Sequence, residues 1–143
     1  MRLTELHVDH FGILRDVTVS LGQDAAPFVV VGDNEAGKST LLAFVRAMLF
    51  GIPKGRPKDE RIYPMADRRI GTLRMSTLAH GALTLERRRG AHGGSVSIID
   101  AEGNERSAEI LRELLGGVDR EIYRTIYGFS LDELQQLRTV TGE

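Results

Sequence analysis

Phe28-Val29-Val30-Val31-Gly32-Asp33-Asn34-Glu35-Ala36-Gly37-Lys38-Ser39-Thr40-Leu41-Leu42-Ala43-Phe44-Val45-Arg46-Ala47-Met48-Leu49 is the stretch on which the fold turns. Its middle fits G-x-x-x-x-G-K-[ST]. The apolar run before the match reads as a fully buried strand, and the Leu- and Ala-rich run after it reads as a helix. A loop between such elements gathers backbone N–H groups at the positive end of a helix dipole, which is the arrangement that cradles a phosphate. Gly32 and Gly37 keep side chains clear of that point. Lys38 is placed to reach β- and γ-phosphates, and the Ser39 hydroxyl to hold Mg2+.

Working outward, Leu3, Leu6 and Val8 lie in a strand-like run that bends at Phe11-Gly12. Val17, Val19 and Leu21 alternate with Thr18 and Ser20, the period-two signature of a half-buried strand ending at Gly22. Downstream, Gly51 and Pro53 stop the helix. Residues 54–70 are polar, basic and broken by Pro57 and Pro64, and read as a long exposed loop. Residues 72–79, 82–88 and 95–99 then read as an antiparallel meander, turning at His80-Gly81 and again between Gly90 and Gly94. Asp100 to Asn104 turns the chain into a helical region. Ile110, Leu111, Leu114 and Leu115 recur at helical spacing, a second helix is expected over 119–126 with Asp119 as its N-cap, and a last one over 130–137.

With 143 residues and 41% hydrophobic content, the chain forms one domain or part of one, organised as strands, loop and helix over 1–53, a basic loop over 54–70, a meander over 71–100 and a helical segment over 105–143. Zero cysteines exclude disulfides and thiolate metal sites. His7, His10, His80 and His92 have no metal-ligand spacing. No apolar run is long enough to cross a bilayer and no signal-peptide pattern opens the chain, so no membrane contact and a cytoplasmic location are expected.

The net charge of -1 conceals an uneven distribution: residues 51–92 hold ten Lys/Arg against four Asp/Glu, and residues 100–143 hold five against ten. Lys54, Arg56, Lys58 and Arg61, then Arg68 and Arg69, and finally Arg87-Arg88-Arg89 make a polyanion such as DNA a candidate partner, while a solvated face opposite the acidic segment explains the same charges. Equally informative is a missing element. A complete triphosphatase needs an apolar strand ending in Asp or Asp-Glu to finish the magnesium site and place the attacking water. Ile98-Ile99-Asp100 is the nearest approach, and its Asp reads as a turn initiator.

Residues 1–53 resemble the start of the Rad50/SMC/RecF-type ABC ATPases, most closely the YhaN-like branch, through Phe11-Gly12, Val30-Val31-Gly32-Asp33-Asn34-Glu35-Ala36-Gly37-Lys38-Ser39-Thr40 and Phe50-Gly51-Ile52-Pro53. The phrase Ile126-Tyr127-Gly128-Phe129-Ser130-Leu131-Asp132-Glu133-Leu134 also looks like that branch. The resemblance implies an α/β, ABC-type P-loop NTPase N-terminal lobe, a mixed sheet with an antiparallel meander and flanking helices. It implies that Gly32, Asp33, Asn34, Glu35, Ala36, Gly37, Lys38, Ser39 and Thr40 wrap the triphosphate of ATP. Lys38 would be the catalytic cation, Ser39 the Mg2+ ligand, and Asn34 would face the γ-phosphate.

The family's head is split, so the implied partners are the C-terminal half of the same head and a second head in an ATP-bound homodimer serving DNA repair or chromosome maintenance. DNA contact falls to the basic loop 54–69 and to Arg87, Arg88 and Arg89. The chain ends about where the coiled coil of that family begins, so it reads as an N-terminal lobe whose own hydrolysis is very weak. One departure stands out: where Rad50 and SMC proteins carry a Q-loop glutamine, Phe129-Ser130 stand here, and Gln135 and Gln136 come late. Two rival readings of the same residues stay open. One is a small P-loop kinase with Arg56, Arg61, Arg68 and Arg69 as its lid; the other is an interaction module with a vestigial loop.

Overall fold

The computed structural model describes residues 1–22, 29–52, 68–90 and 93–124. Its frame is a six-stranded sheet in the order β2-β1-β3-β4-β5-β6. The strands are β1 (Arg2–Phe11), β2 (Leu14–Ser20), β3 (Arg69–Thr77), β4 (Gly81–Arg88), β5 (Ser95–Asp100) and the two-residue β6 (Glu105–Arg106). Every neighbouring pair is antiparallel.

Alternation decides which face is buried. Leu6 and Val8 of β1, Leu73 and Met75 of β3, Leu83 and Leu85 of β4 and Ile98 of β5 are buried on one face and join one apolar cluster. A register shift between Leu3 and Glu5 inserts one residue into β1, which lets the strand keep its pairing while changing which side chains face inward. The other face is polar and tied by cross-strand pairs: Arg69 to Asp9 at 2.8 Å and to Glu86 at 3.2 Å, and Arg74 to Glu5 at 3.4 Å. The hydrogen bonds that Arg69 donates to Asp9 lead the interactions that raise the pKa of Arg69.

The buried face is covered by helices α1 (Lys38–Phe50) and α2 (Glu109–Leu115). Thirteen residues make α1 about 20 Å long at ~1.5 Å per residue, enough to cross several strands spaced ~4.8 Å apart. Its start borders Leu14 of β2, its middle puts Phe44 on Gly71 of β3, and its end meets Arg87 of β4. Phe44 also meets Phe11 edge to face, with ring centroids 5.6 Å apart. Close packing explains Gly71: a Cβ there would lie 2.2 Å from the His7 carbonyl oxygen and 2.7 Å from the Phe44 ring.

The short helix α3 (Arg120–Ile122) starts where Asp119 accepts a hydrogen bond from the Ile122 N–H at 2.8 Å, the capping role expected of that residue. The rest of the expected 119–126 helix from residue 125, the helix over 130–137, the 126–134 phrase and most of the 54–69 loop lie outside the described residues.

One expectation fails. The strand read over 28–31 does not form at residues 29–31, where Val29, Val30 and Val31 are 83%, 45% and 87% exposed and outside the sheet. β1 has both edges occupied, by β2 and β3, and no strand of the described residues pairs with the valines through the open outer edges of β2 or β6. The sheet of the described residues is accordingly antiparallel throughout rather than mixed.

Candidate nucleotide site

Residues 32–37 turn sharply into α1. Glu35 takes φ 66° and Gly37 φ 96°, and the Ala36 N–H donates to the Asp33 carbonyl at 3.2 Å. Glycine at 37 is required twice over. A left-handed backbone disfavours any Cβ, and one placed there would meet Leu14 Cδ2 at 2.8 Å. The hairpin turn between β1 and β2 therefore rests directly on the loop.

The N-terminal end of α1 has no side-chain cap, and helix geometry leaves its first N–H groups without intrahelical acceptors. Those of Lys38, Ser39 and Thr40 lie in that first turn, at the positive end of the helix dipole. Lys38 curls back over the loop, and its ammonium donates to the carbonyls of Gly32 and Asp33 at 2.6 Å each. No carboxylate among the described residues holds it, so against these an incoming anion competes only with neutral oxygens.

A cavity of about 610 Å3 opens in front of this group. Asn34, Glu35, Gly37, Lys38, Ser39 and Thr40 line one side of it, and Gly12 and Ile13 of the β1–β2 turn the other. Its size lies within the range of small-molecule sites, roughly 300–1,000 Å3. Of the loop residues singled out from the sequence, Gly32, Asp33 and Ala36 build the backbone around Lys38, while the remaining six border the cavity. Gly12 and Ile13 escaped the sequence reading. Phe11-Gly12 signals a bend, but nothing in the order of residues says that a turn near the N-terminus is folded over Gly37.

The basic residues disperse. Arg69 is engaged with Asp9 and Glu86 on the polar sheet face, well integrated into the cross-strand pairs. Arg87, expected to contact DNA with its neighbours, is only 5% exposed. Its guanidinium donates to the carbonyl of Met48 at 3.0 Å and to those of Gly93 and Gly94 at 3.4 Å each. Burial, with Arg120 nearby, lowers its pKa to about 10. Arg87 points inward because α1 ends above β4 with unsatisfied carbonyls, and a cation there is favoured by the helix dipole. Arg120 donates to the Gly51 carbonyl at the same junction. Arg68, Arg88 and Arg89 stay at the surface.

No metal cluster of three or more His, Asp or Glu side chains occurs among the described residues. Asp100, the nearest sequence candidate for a magnesium acid, is committed elsewhere: it accepts the backbone N–H of Asn104 at 2.8 Å and of Glu102 at 3.1 Å, and pairs with Arg106 at 3.3 Å. It initiates the β5–β6 turn, as its place in the sequence implies.

A cavity at the head of a helix, with a lysine held by loop carbonyls at its floor, agrees with what comparison with known proteins finds. The AAA domain family model matches residues 1–138. The chain belongs to that family. It is also 32% identical over 141 residues to an uncharacterized protein, YhaN, of Bacillus subtilis (strain 168). That match covers 96% of the chain and 14% of the Bacillus protein, so the chain spans about one seventh of the length of its relative. Membership of an AAA domain family agrees with a nucleotide-binding, ATPase-like domain in general. No helix among the described residues is long and apolar enough to cross a membrane.

Proposed function

We propose that residues 32–40 bind the triphosphate of ATP together with Mg2+, and that this chain is the N-terminal part of an ABC-type ATPase head. The observation that carries the reading is Lys38, which lines the cavity and whose ammonium is held by two neutral carbonyls, beside the uncapped start of α1. Lys38 would exchange those carbonyls for β- and γ-phosphate oxygens. The amides of the first helical turn would hold the same phosphates, and Asn34 would face the terminal one.

The donor set fits the nucleotide better than it fits a complete metal site. Ser39 borders the cavity and supplies one hydroxyl ligand for Mg2+, which takes its remaining ligands from phosphate and water. When bound, the ion neutralises charge between the phosphates. No Asp or Glu of the described residues stands ready to place a water, apart from Glu35 on the loop itself. Catalysis of phosphoryl transfer is positioning plus charge stabilisation, so turnover by this chain alone should stay close to background.

The C-terminal half of the same head is the proposed partner. Val29, Val30 and Val31 lead into the loop as exposed apolar residues, and the relative is far longer than this chain. A strand from that half, carrying the missing acid, would pair with 29–31. The intact protein would close two such heads on ATP in the cytoplasm and serve DNA repair or chromosome maintenance. Calorimetry with Mg-ATP, Mg-ADP and Mg-GTP, repeated on Lys38→Ala and Ser39→Ala, tests the reading. Saturable ATP binding that is lost in Lys38→Ala is expected; binding that ignores Lys38 would overturn it.

A further inference from the structure

The loop before α1 carries a carboxylate for which the fold has no use. Glu35 is exposed and takes φ 66°, a left-handed backbone that glycine or asparagine would adopt with less strain. Its carboxylate makes no hydrogen bond and no ion pair among the described residues. Lys38 follows three positions on, yet its ammonium donates to the carbonyls of Gly32 and Asp33 instead. Neither packing nor pairing accounts for a glutamate at this position. Its charge stands unneutralised among the described residues, and Glu35 borders the same cavity as Lys38.

Lys38 and Glu35 are the one cation and the one anion among the described residues that line the cavity, so their side chains give it no net charge. Lys38 and the positive end of α1 draw an anion in, and Glu35 opposes it. That opposition grows with the charge of the ligand. Metal-free ATP carries about four negative charges and its magnesium complex about two, so the carboxylate penalises the free nucleotide more. We infer that Glu35 makes the site select the magnesium complex over free nucleotide, by repelling a ligand whose phosphates arrive unneutralised. This rests on the reading of residues 32–40 as a triphosphate site and adds how that site discriminates by charge. Ser39 would favour the complex by ligation, whereas Glu35 acts through space and is screened by salt.

The test measures dissociation constants of the 143-residue chain for Mg-ATP, and for ATP and ADP in the presence of EDTA. Glu35→Gln removes the charge and keeps the shape. It should tighten metal-free ATP roughly tenfold and Mg-ATP roughly threefold, with metal-free ADP between them, so the preference for the complex narrows about threefold. Glu35→Asp keeps the charge and should keep most of the preference. Raising KCl to about 0.5 M should narrow the preference of the parent and leave that of Glu35→Gln less affected. Equal tightening of every ligand would overturn the assignment, because relief of backbone strain would then suffice to explain it. No change for any ligand would overturn it as well. Weakening of Mg-ATP alone would do the same, since the carboxylate would then hold the ion rather than repel free phosphate. If the parent bound none of the ligands, the triphosphate reading itself would fall, an outcome distinct from a null effect at Glu35.

Discussion

Lys38 has two sets of oxygens to choose between: the carbonyls of its own loop and those of an incoming phosphate. Bonds from an ammonium to charged oxygens are roughly twice as strong as those to neutral ones, which tilts the choice toward ligand. Lys38→Ala should therefore weaken ATP binding by about 10- to 100-fold, the worth of a charge-assisted bond of ~1.5–3 kcal/mol, while thermal unfolding moves little. Gly37→Ala should do more damage to structure. It forces a left-handed alanine, worth roughly 1–2 kcal/mol, and also drives a methyl into Leu14, so both melting temperature and nucleotide affinity should fall. At Gly71 the obstacle is steric. Gly71→Ala must move the Phe44 ring or the β1 backbone, and a loss of about 1–3 kcal/mol in urea unfolding is expected. Lys38 and Gly37 could be picked out from the motif, and their local geometry agrees with it. Gly71 could not, because its constraint comes from a helix that precedes it by many residues and folds across it.

Among the elements, local period was a sound guide wherever packing did not interfere. The alternation of 72–79 and 82–88 matches β3 and β4, and the Leu-Leu run after the loop matches α1. Hydrophobicity misled at 29–31, since it records the wish to be buried and says nothing about whether another strand lies alongside to pair with. The β5–β6 turn offers a pH test. Hydrogen bonding from the Asn104 N–H, helped by its side chain, by Arg106 and by the Glu102 N–H, lowers the pKa of Asp100. A depressed folded pKa means that the turn keeps its full contribution above the ordinary carboxylate range and loses it as pH falls through the lowered value. The Asn104 and Glu102 amide resonances should stay put from neutral pH to the ordinary carboxylate range and shift only in stronger acid. Asp100→Asn should move them at neutral pH.

At the scale of the molecule, the junction of α1, β4, the 93–94 segment and α3 is built around cations. Arg87 reaches Met48, Gly93 and Gly94, and Arg120 reaches Gly51. Arg87→Ala should cost about 2–4 kcal/mol of stability, with Arg88→Ala within ~0.5 kcal/mol of unchanged. The sign of the pH effect follows from a folded pKa lowered to about 10 by burial. Between that value and the ordinary arginine range the unfolded chain holds more protons, so desolvation of the charged guanidinium offsets part of what its hydrogen bonds contribute at neutral pH, and that offset is lifted as pH climbs past about 10. Urea midpoints of the parent measured against Arg87→Met at pH 9 and pH 11 should shift in the parent's favour. The turn into α1 was readable because the residues that build it are contiguous. The clamp provided by Arg87 was not, because it is assembled from segments that meet only after the sheet has formed.

Arg87, Arg88 and Arg89 look interchangeable on paper, three like residues in a row. A strand sends successive side chains to opposite sides, and here that sends one arginine under the far end of a helix whose near end borders the cavity. A saturation scan of the triplet should then return an intolerant column at Arg87 beside a permissive one at Arg88. The intolerant column would be mistaken for a contact with a polyanion by anyone scoring growth alone, and recognised as internal scaffolding by anyone who also weighed soluble yield.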